Sequence, residues 1–229
     1  DILEKIYLSE DPLDASAFLN GMSGHLDFPR ARQAGFGGGF FAVYPPNPPH
    51  IPSEKKRIIT TGSGYTIPLP PPLEYEYARE AAQTMIELIY KIESHAAGKF
   101  LVIRDYPALE SCLRNDIMAA VLHLEGAEPI QPDLGNLEEF YQVGVRSIGI
   151  TWSRPNAFGH GVPFQYPGSP DTGPGLTDHG KALVEACNQH GILVDLAHLN
   201  ERGFWEVAEL SRAPLVSSHT AAHALIPRT

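Results

Sequence analysis

Three short apolar runs in this sequence each end in a residue that can bind a metal ion. The first, residues 119–125, ends in Glu125, and two later runs end in His198 and His219. Near-continuous apolar runs are typical of buried parallel strands. Because helix-like segments separate them, the chain is predicted to alternate strand and helix, which is the pattern of an α/β protein with a parallel sheet.

The three potential ligands are expected to meet in space. A (β/α)8 barrel gathers the C-terminal ends of its strands around one mouth. Imidazole nitrogen and carboxylate oxygen suit zinc and similar divalent ions. A single histidine at a strand end is more often a hydrogen-bonded core or surface group, but three potential ligands at matching strand ends reverse that preference. Glu125, His198 and His219 are therefore predicted to share a metal centre.

Length and strand count predict an incomplete barrel. The 229 residues are interpreted as a single domain, residues 1–229, slightly short of the roughly 250 residues of a typical (β/α)8 barrel. Five strands are predicted, near residues 39, 121, 148, 194 and 216, or six if another lies just before residue 1. The predicted fold is thus a (β/α)8 TIM-type barrel lacking its last strands, within a longer chain.

Composition excludes some partners. A formal charge of −10 argues against a nucleic-acid surface, which needs clustered Lys and Arg, and no apolar run reaches the 18 or so residues of a membrane span. Cys112 and Cys187 lie in helix-like segments and are interpreted as core thiols in a reducing compartment. A cytoplasmic location is therefore expected, although the chain does not begin with Met and an N-terminal signal could be missing.

Local patterns place the other elements. Apolar spacing predicts an amphipathic helix from Leu73 to about His95, and Thr177 and Gly191 are a good N-cap and terminator for another helix. Residues 45–72 contain nine prolines and are predicted to form a long extended loop. Such a loop is either a lid over the site or an incidental surface insertion.

Strand alternation makes predictions about two neighbours of the ligands. His123 is two residues from Glu125 and is predicted to point to the same side, either supporting a ligand or filling the barrel. Asp195 is three residues from His198, an odd separation, and is predicted to point away from the mouth with a structural role.

Several segments, taken together, are specific enough to suggest a family. They cover nearly the whole chain in order: residues 24–44, 123–128, 144–146, 175–177, 191–198 and 213–219. As a set they resemble the membrane (renal) dipeptidase family of the metal-dependent amidohydrolase superfamily. The resemblance implies a barrel that holds two zinc ions and cleaves dipeptides.

The resemblance also assigns residues to roles. The glutamate that bridges both metals falls on Glu125, and the second metal's histidines fall on His198 and His219. The first metal is held in the family by an Asp-Gly-His-x-Asp motif, and we favour Asp1 as its final aspartate, with His25 and Asp27 as the alternative ligands.

Substrate contacts follow from the same resemblance. Where some members place a histidine that contacts the substrate carbonyl, this chain has Trp152, which is assigned to substrate binding. The proton-shuttling acid and an arginine for the substrate carboxylate would fall beyond Thr229. The expected partner is a small dipeptide substrate, with a homodimer as a possible assembly.

The working hypothesis is a dipeptidase in which a hydroxide between two zinc ions, held on Glu125, attacks the peptide carbonyl. One alternative is a related enzyme that acts on another amide, a lactone or an ester, because a barrel does not dictate its substrate. The other is a non-catalytic barrel that binds a ligand.

Overall fold

A parallel sheet centred on one long strand dominates the fold. The computed structural model of the chain describes residues 2–52, 54–220, 223 and 225. The strands are β1 (Gly38–Val43), β2 (Ile59–Thr60), β3 (Tyr65–Ile67), β4 (Phe100–Val102), β5 (Met118–Glu125), β6 (Val145–Gly149), β7 (Phe164–Tyr166) and β8 (Leu193–Asp195). The helices are α1 (Ile2–Tyr7), α2 (Ala15–Asn20), α3 (Phe28–Gln33), α4 (Glu54–Arg57), α5 (Tyr75–His95), α6 (Tyr106–Arg114), α7 (Leu137–Val143), α8 (Asp178–His190) and α9 (Glu201–Leu210).

All the strands of the main sheet run parallel. Strand β5 pairs with β1 along one edge, and along its other edge with β4 first and then with β6. Strand β8 pairs with β6, and Val216 adds a single parallel bridge to Asp195. The predicted strand near residue 216 is therefore reduced to one bridge, and among the described residues the sheet does not close.

Helices α5 and α8 form where the sequence pattern predicts them. On α5 the buried positions recur at helical spacing: Ala78, Ala81, Ala82, Met85, Ile86, Leu88, Ile89 and Ile92. This face packs against α1, α2 and the sheet, and buries the rings of Phe18, Phe41 and Phe100 edge to face, with centroids 5.1–6.1 Å apart. Helix α8 has both expected ends, since Thr177 accepts a hydrogen bond from the Gly180 N–H and Gly191 adopts a left-handed conformation.

The proline-rich segment is not a plain extended loop. Within residues 45–72, strands β2 and β3 form an antiparallel hairpin, and β3 pairs in turn with β7 from a distant loop. The rings of Tyr65 and Tyr166 stack across this pairing with centroids 6.5 Å apart. The prediction missed the small sheet because its strands are only two or three residues long and its partners lie about a hundred residues apart in sequence.

Both cysteines are buried and unpaired, as predicted for core thiols. Burial raises the pKa of the Cys187 thiol to about 12, so this sulfur stays protonated and unreactive at neutral pH. In the described part of the chain, no helix has the length and apolar character needed to cross a membrane.

Gly38 gives the first testable prediction, because it lies where β1 meets the central strand. Its φ is +154°, and an added Cβ would overlap the backbone oxygen of Ala119 on β5. The change Gly38→Ala is expected to lower the free energy of unfolding by about 1–3 kcal/mol, since the backbone of β1 must move. Urea denaturation measures the loss.

The matched control is Gly62→Ala, where an added Cβ has no atom within 4 Å. This control is expected to change the free energy of unfolding by no more than about 0.5 kcal/mol. Equal stability of the two variants would contradict the tight approach of β1 to β5.

Candidate metal centre

A single row of residues crosses the sheet at the exit of its strands. Glu125 on β5 is paired with Gly149 on β6, Gly149 with Asp195 on β8, and Asp195 with Val216. Paired residues of parallel strands share a level and a face of the sheet. The row therefore fixes where Glu125 lies relative to the segments that follow each neighbouring strand.

The two histidines occupy equivalent positions in sequence beyond this row. His198 follows Asp195 by three residues and His219 follows Val216 by three residues. Trp152 follows Gly149 by the same number. Each of three neighbouring segments thus carries one of these residues three positions after its member of the paired row, beyond the ends of the strands.

Neither histidine is on a strand, which corrects the predicted strand from 192 to 198. Strand β8 ends at Asp195, whose carboxylate accepts the N–H of Ala197 at 3.1 Å. An Asp side chain that accepts a hydrogen bond from the backbone N–H two residues later forms a turn, which takes the backbone out of the sheet. His198 is then reached in a turn with φ +66°, so strand alternation no longer decides where side chains point.

The three predicted ligands converge. The Nε2 atoms of His198 and His219 are 2.8 Å apart, and they lie 3.3 and 3.9 Å from Oε1 of Glu125. One ligand atom from each residue lies within 4.8 Å of the other two. In the described residues, no other group of three such side chains is as close together.

These separations fit a shared metal ion. Two donors each about 2.0–2.1 Å from a tetrahedral zinc ion lie about 3.3–3.4 Å apart, and the observed 2.8–3.9 Å range brackets this value. Two imidazole nitrogens that face each other repel unless a proton or a metal lies between their lone pairs. The donor set, two imidazoles and a carboxylate, is one that zinc accepts.

Hydroxyl groups orient both imidazole rings. The Nδ1 atom of His198 lies 3.1 Å from the Ser153 hydroxyl, and that of His219 lies 2.9 Å from the Ser218 hydroxyl. Metal-binding histidines commonly use the second ring nitrogen in this way, which fixes the ring and leaves the first nitrogen for the metal. Sequence analysis assigned neither serine to a histidine, although Ser218 directly precedes His219 and Ser153 directly follows Trp152.

The environment keeps Glu125 ionised and His123 neutral. Burial raises the pKa of Glu125. The hydrogen bond and charge of His198, and the smaller effects of His123 and His219, lower this pKa by more than burial raises it, so the net shift is downward. Burial dominates at His123 and lowers its pKa despite the nearby Asp195 and Glu125 carboxylates. A charged carboxylate ligand therefore lies beside an uncharged imidazole.

His123 and Asp195 lie together on the face of the sheet that carries Glu125. His123 faces the same side as Glu125, as predicted, and its Nδ1 contacts the Ser147 hydroxyl at 2.9 Å. Its Nε2 is 3.6 Å from Oδ2 of Asp195. The prediction that Asp195 points away from the mouth is wrong, because that prediction extended strand alternation through His198, past the true end of β8.

One of the alternative ligands for a first metal, Asp27, is engaged elsewhere. Asp27 is the N-cap of α3, where its carboxylate accepts the backbone N–H of Arg30 at 2.9 Å and the Arg30 guanidinium at 2.7 Å. The pKa of Asp27 is lowered, and the hydrogen bond from the backbone N–H of Arg30 has the largest effect on it. His25 is exposed beside it. Asp1, the favoured ligand, lies outside the described residues.

Trp152 is buried against the metal site. Its side chain is 7% exposed, and its ring centroid lies 6.0 Å from that of His198 and 5.5 Å from that of Phe164. The guanidinium of the fully buried Arg154 lies 5.1 Å from the same indole. The structure thus places Trp152 beside a predicted ligand, and its contact with substrate stays a prediction.

Arg154 ties three exit loops together, a feature that sequence analysis missed. Its guanidinium donates to Glu128 at 2.9 Å, to the Asn47 side chain at 3.0 Å and to the Pro45 carbonyl at 2.6 Å. Burial raises the pKa of Glu128, and the Arg154 charge opposes that shift. Five fixed donors on one planar group let arginine hold several loops at once.

Two cavities open beside the converging ligands. One of about 360 Å³ is lined by Phe40, Ala42, His123, Glu125, Ser218 and His219. A cleft of about 720 Å³ lies on the other side, where His198 and His219 meet aromatic residues that include Tyr65, Phe164 and Phe204. The small sheet of β2, β3 and β7 therefore contributes a wall of the larger cleft, which favours the lid interpretation of residues 45–72 over an incidental insertion.

A parallel α/β sheet with imidazole and carboxylate groups at its strand exits defines a class, the metal-dependent barrels of the amidohydrolase type. Within this class the chain belongs to the membrane dipeptidase family (peptidase family M19), whose sequence pattern matches residues 4–229. The resemblance inferred from the sequence motifs is thereby confirmed.

Solved structures support the same assignment. The chain is 44% identical to the dipeptidase AC, a metallopeptidase of family M19, with a TM-score of 0.92 over 100% of this chain and 64% of that one. It is 43% identical to a metallopeptidase from Rhodobacter sphaeroides liganded with a phosphinate mimic of the dipeptide L-Ala-D-Ala, with a TM-score of 0.91 over 100% and 65% of the two chains. Members of this family are TIM-type barrels, which confirms the predicted fold class.

A more distant relative by sequence is an uncharacterised protein of Acinetobacter calcoaceticus, encoded in the 3′ region of PQQ-III. It is 32% identical over 231 residues, which cover 100% of this chain and 70% of that protein. The chain thus spans slightly less than two thirds of the two solved structures and somewhat more of this relative.

The second prediction concerns metal affinity. Replacing His219 with alanine removes one of three converging donors and is expected to weaken zinc binding at least about tenfold, since the loss of even an outer partner of a ligand costs that much. Competition with a chromophoric chelator measures the dissociation constant. The control is His95→Ala, at the exposed end of α5, which is expected to bind zinc like the wild type.

Proposed function

We propose that the full-length protein is a zinc-dependent dipeptidase that hydrolyses the peptide bond of dipeptides. The observation that carries this proposal is the convergence of Glu125, His198 and His219 within 4.8 Å, in a member of the membrane dipeptidase family. The dipeptide mimic bound to the Rhodobacter sphaeroides relative supports the substrate class.

The residues of this chain have separate roles in the proposal. Glu125, His198 and His219 hold the metal, and ionised Glu125 supplies the negative charge of the donor set. When bound, zinc would lower the pKa of water to give a hydroxide nucleophile and would polarise the scissile carbonyl. The Ser153 and Ser218 hydroxyls keep the imidazoles in place.

Two ions per site are part of the proposal. The cavity of about 360 Å³ on the β1 side of Glu125 gives room for a second ion, and Glu125 has a second carboxylate oxygen for it. Asp1 is the proposed protein ligand there, because Asp27 is engaged as the cap of α3. Metal analysis of the purified full-length protein, with Asp1→Asn as the variant, tests the number of ions.

Substrate is proposed to occupy the larger cleft. Its lining is mostly apolar and aromatic around the two histidines, so it accepts an uncharged, apolar side chain of a dipeptide more readily than a strongly charged one. Trp152 supports this wall from behind, next to His198 and Phe164.

Turnover assays give the third prediction. The full-length protein is expected to hydrolyse L,D or L,L dipeptides, to lose activity on chelation and to regain it with zinc. Glu125→Gln is expected to lower kcat at least about a hundredfold, because a charged ligand is lost from the centre of the site. Released amino acids are measured by chromatography.

The rival functions give different outcomes in the same assay. Faster turnover of a lactone, an ester or another amide than of any dipeptide would assign the site to a related hydrolase. Protein that is purified gently, holds no zinc and gains no activity when zinc is added would indicate a non-catalytic binding barrel. The His95→Ala variant is again the control.

The fourth prediction tests Trp152. Trp152→Phe keeps an aromatic ring in a buried site but removes the indole N–H and part of the ring. If Trp152 helps to bind substrate, KM for a dipeptide should rise about three- to tenfold with a smaller change in kcat. An unchanged KM together with a lower melting temperature would mean that the indole only fills space.

The two thiols bear on the cellular location of the protein. We propose a cytoplasmic protein, since its two thiols are buried and unpaired, as is common in a reducing compartment. Fractionation of cells that express the full-length protein tests this. A homodimer stays a prediction, to be tested by light scattering.

A further inference from the structure

Asp195 is a buried carboxylate at the centre of a hydrogen-bond network that ends at a proposed metal ligand. Its side chain is 2% exposed. One carboxylate oxygen, Oδ1, accepts the backbone N–H of Ala197 at 3.1 Å and that of Ser218 at 2.9 Å. The other, Oδ2, is hydrogen-bonded to the Ser218 hydroxyl, and this hydroxyl also lies 2.9 Å from Nδ1 of His219.

The direction of each hydrogen bond follows from the available protons. An ionised carboxylate only accepts hydrogen bonds, so the Ser218 hydroxyl must donate its one proton to Oδ2 of Asp195. The hydroxyl oxygen then has only lone pairs left for His219. Nδ1 of His219 must therefore carry the ring proton, and the lone pair of the neutral ring lies on Nε2.

Nε2 is the atom that faces the other ligands. It lies 2.8 Å from Nε2 of His198 and 3.9 Å from Oε1 of Glu125. A proton on this nitrogen would have to be removed before a metal could bind, because a metal ligand must offer a lone pair. The tautomer of His219 therefore decides whether the site is ready for metal.

We propose that Asp195 is a positioning residue which, through the Ser218 hydroxyl, holds His219 in the tautomer whose Nε2 can bind the metal. This inference rests on the metal site of the proposed function, and not on the identity of the substrate. It gives a role to a carboxylate that touches none of the three converging ligands directly.

Asp195→Asn separates this role from a merely structural one. The amide has the same shape, and its oxygen must stay at the Oδ1 position, where two backbone N–H groups donate. Its NH₂ group then replaces Oδ2 and donates to the Ser218 oxygen. The hydroxyl proton is pushed toward Nδ1 of His219, which favours the tautomer with the proton on Nε2.

The experiment measures zinc affinity by chelator competition in a set of full-length variants. Ser218→Ala removes the orienting hydroxyl and is expected to weaken zinc binding about tenfold, and Asp195→Asn by more, up to about a hundredfold. Ser218→Thr keeps the hydroxyl at an exposed position and is expected to restore wild-type affinity.

The double variant is the sharpest test. Without the Ser218 hydroxyl, there is no hydrogen bond to His219 whose direction an amide at 195 could reverse. The double variant Asp195→Asn with Ser218→Ala should therefore bind zinc as Ser218→Ala does, and more tightly than Asp195→Asn alone. A packing role predicts the opposite, with the double variant weakest. The control for general destabilisation is Thr177→Ala, which removes the α8 cap and should lower the melting temperature without changing zinc affinity.

A second readout does not depend on zinc binding. Nitrogen NMR of the metal-free protein with labelled histidine, with the His219 signal assigned by its loss in His219→Ala, should show a proton on Nδ1 in the wild type and on Nε2 in Asp195→Asn. Wild-type affinity in Asp195→Asn, or a proton on Nε2 in the wild type, would overturn the proposal.

Other outcomes are equally decisive. If Asp195→Asn does not fold, the serine variants decide: equal zinc affinity of Ser218→Ala and Ser218→Thr refutes the role of the hydroxyl, and a loss only in Ser218→Ala supports it. A protein that binds zinc with this order of affinities but cleaves no dipeptide would contradict the proposed function and leave the inference about Asp195 standing.

Discussion

The parallel register that pairs Glu125 with Gly149, Gly149 with Asp195, and Asp195 with Val216 is the constraint on which the proposed metal centre depends. A shift of one residue in any of these pairings would turn the side chains of that strand to the opposite face of the sheet. The tight approach of β1 to β5 at Gly38 helps to fix this register from the other side. The position of the ligands is thus a property of the whole sheet.

The residues that follow the paired row supply the side chains of the candidate site. Each of three neighbouring segments leaves its strand and presents one side chain three residues later, and these side chains are Trp152, His198 and His219. The turns are held by polar side chains, Asp195 below the histidines and Arg154 between the exit loops. Both are buried and satisfied by several donors or acceptors, which is the condition under which a buried charge is tolerated.

Much of this could be predicted from the sequence, because the relevant signals are local. The apolar period of α5 identifies each of its buried positions, and Thr177 and Gly191 mark the ends of α8 through the conformations that they favour. Apolar runs that end in Glu125, His198 and His219 indicate strand exits, and the parallel topology then brings them together.

The missed features depend on contacts between distant segments. The small sheet joins residues 59–67 to residues 164–166, and its very short strands have no periodic signal. Arg154 looks like an ordinary loop arginine until Pro45, Asn47 and Glu128 are placed around it. The orientation of Asp195 was mispredicted because alternation holds only as far as the strand extends, and the Asp195 side chain itself ends that strand by taking the N–H of Ala197.

The fold fixes the positions of the residues around the mouth but not their identities. Register places a side chain at the level of the mouth after each strand, but it does not choose the residue there. At the level of His198 and His219 this chain has an indole, Trp152, packed against His198. An imidazole at that position could bind a proton or a metal, whereas an indole offers one N–H and a flat apolar surface. The same backbone can therefore keep Glu125, His198 and His219 in place while the residue at position 152 changes, and this freedom lets one fold support different functions.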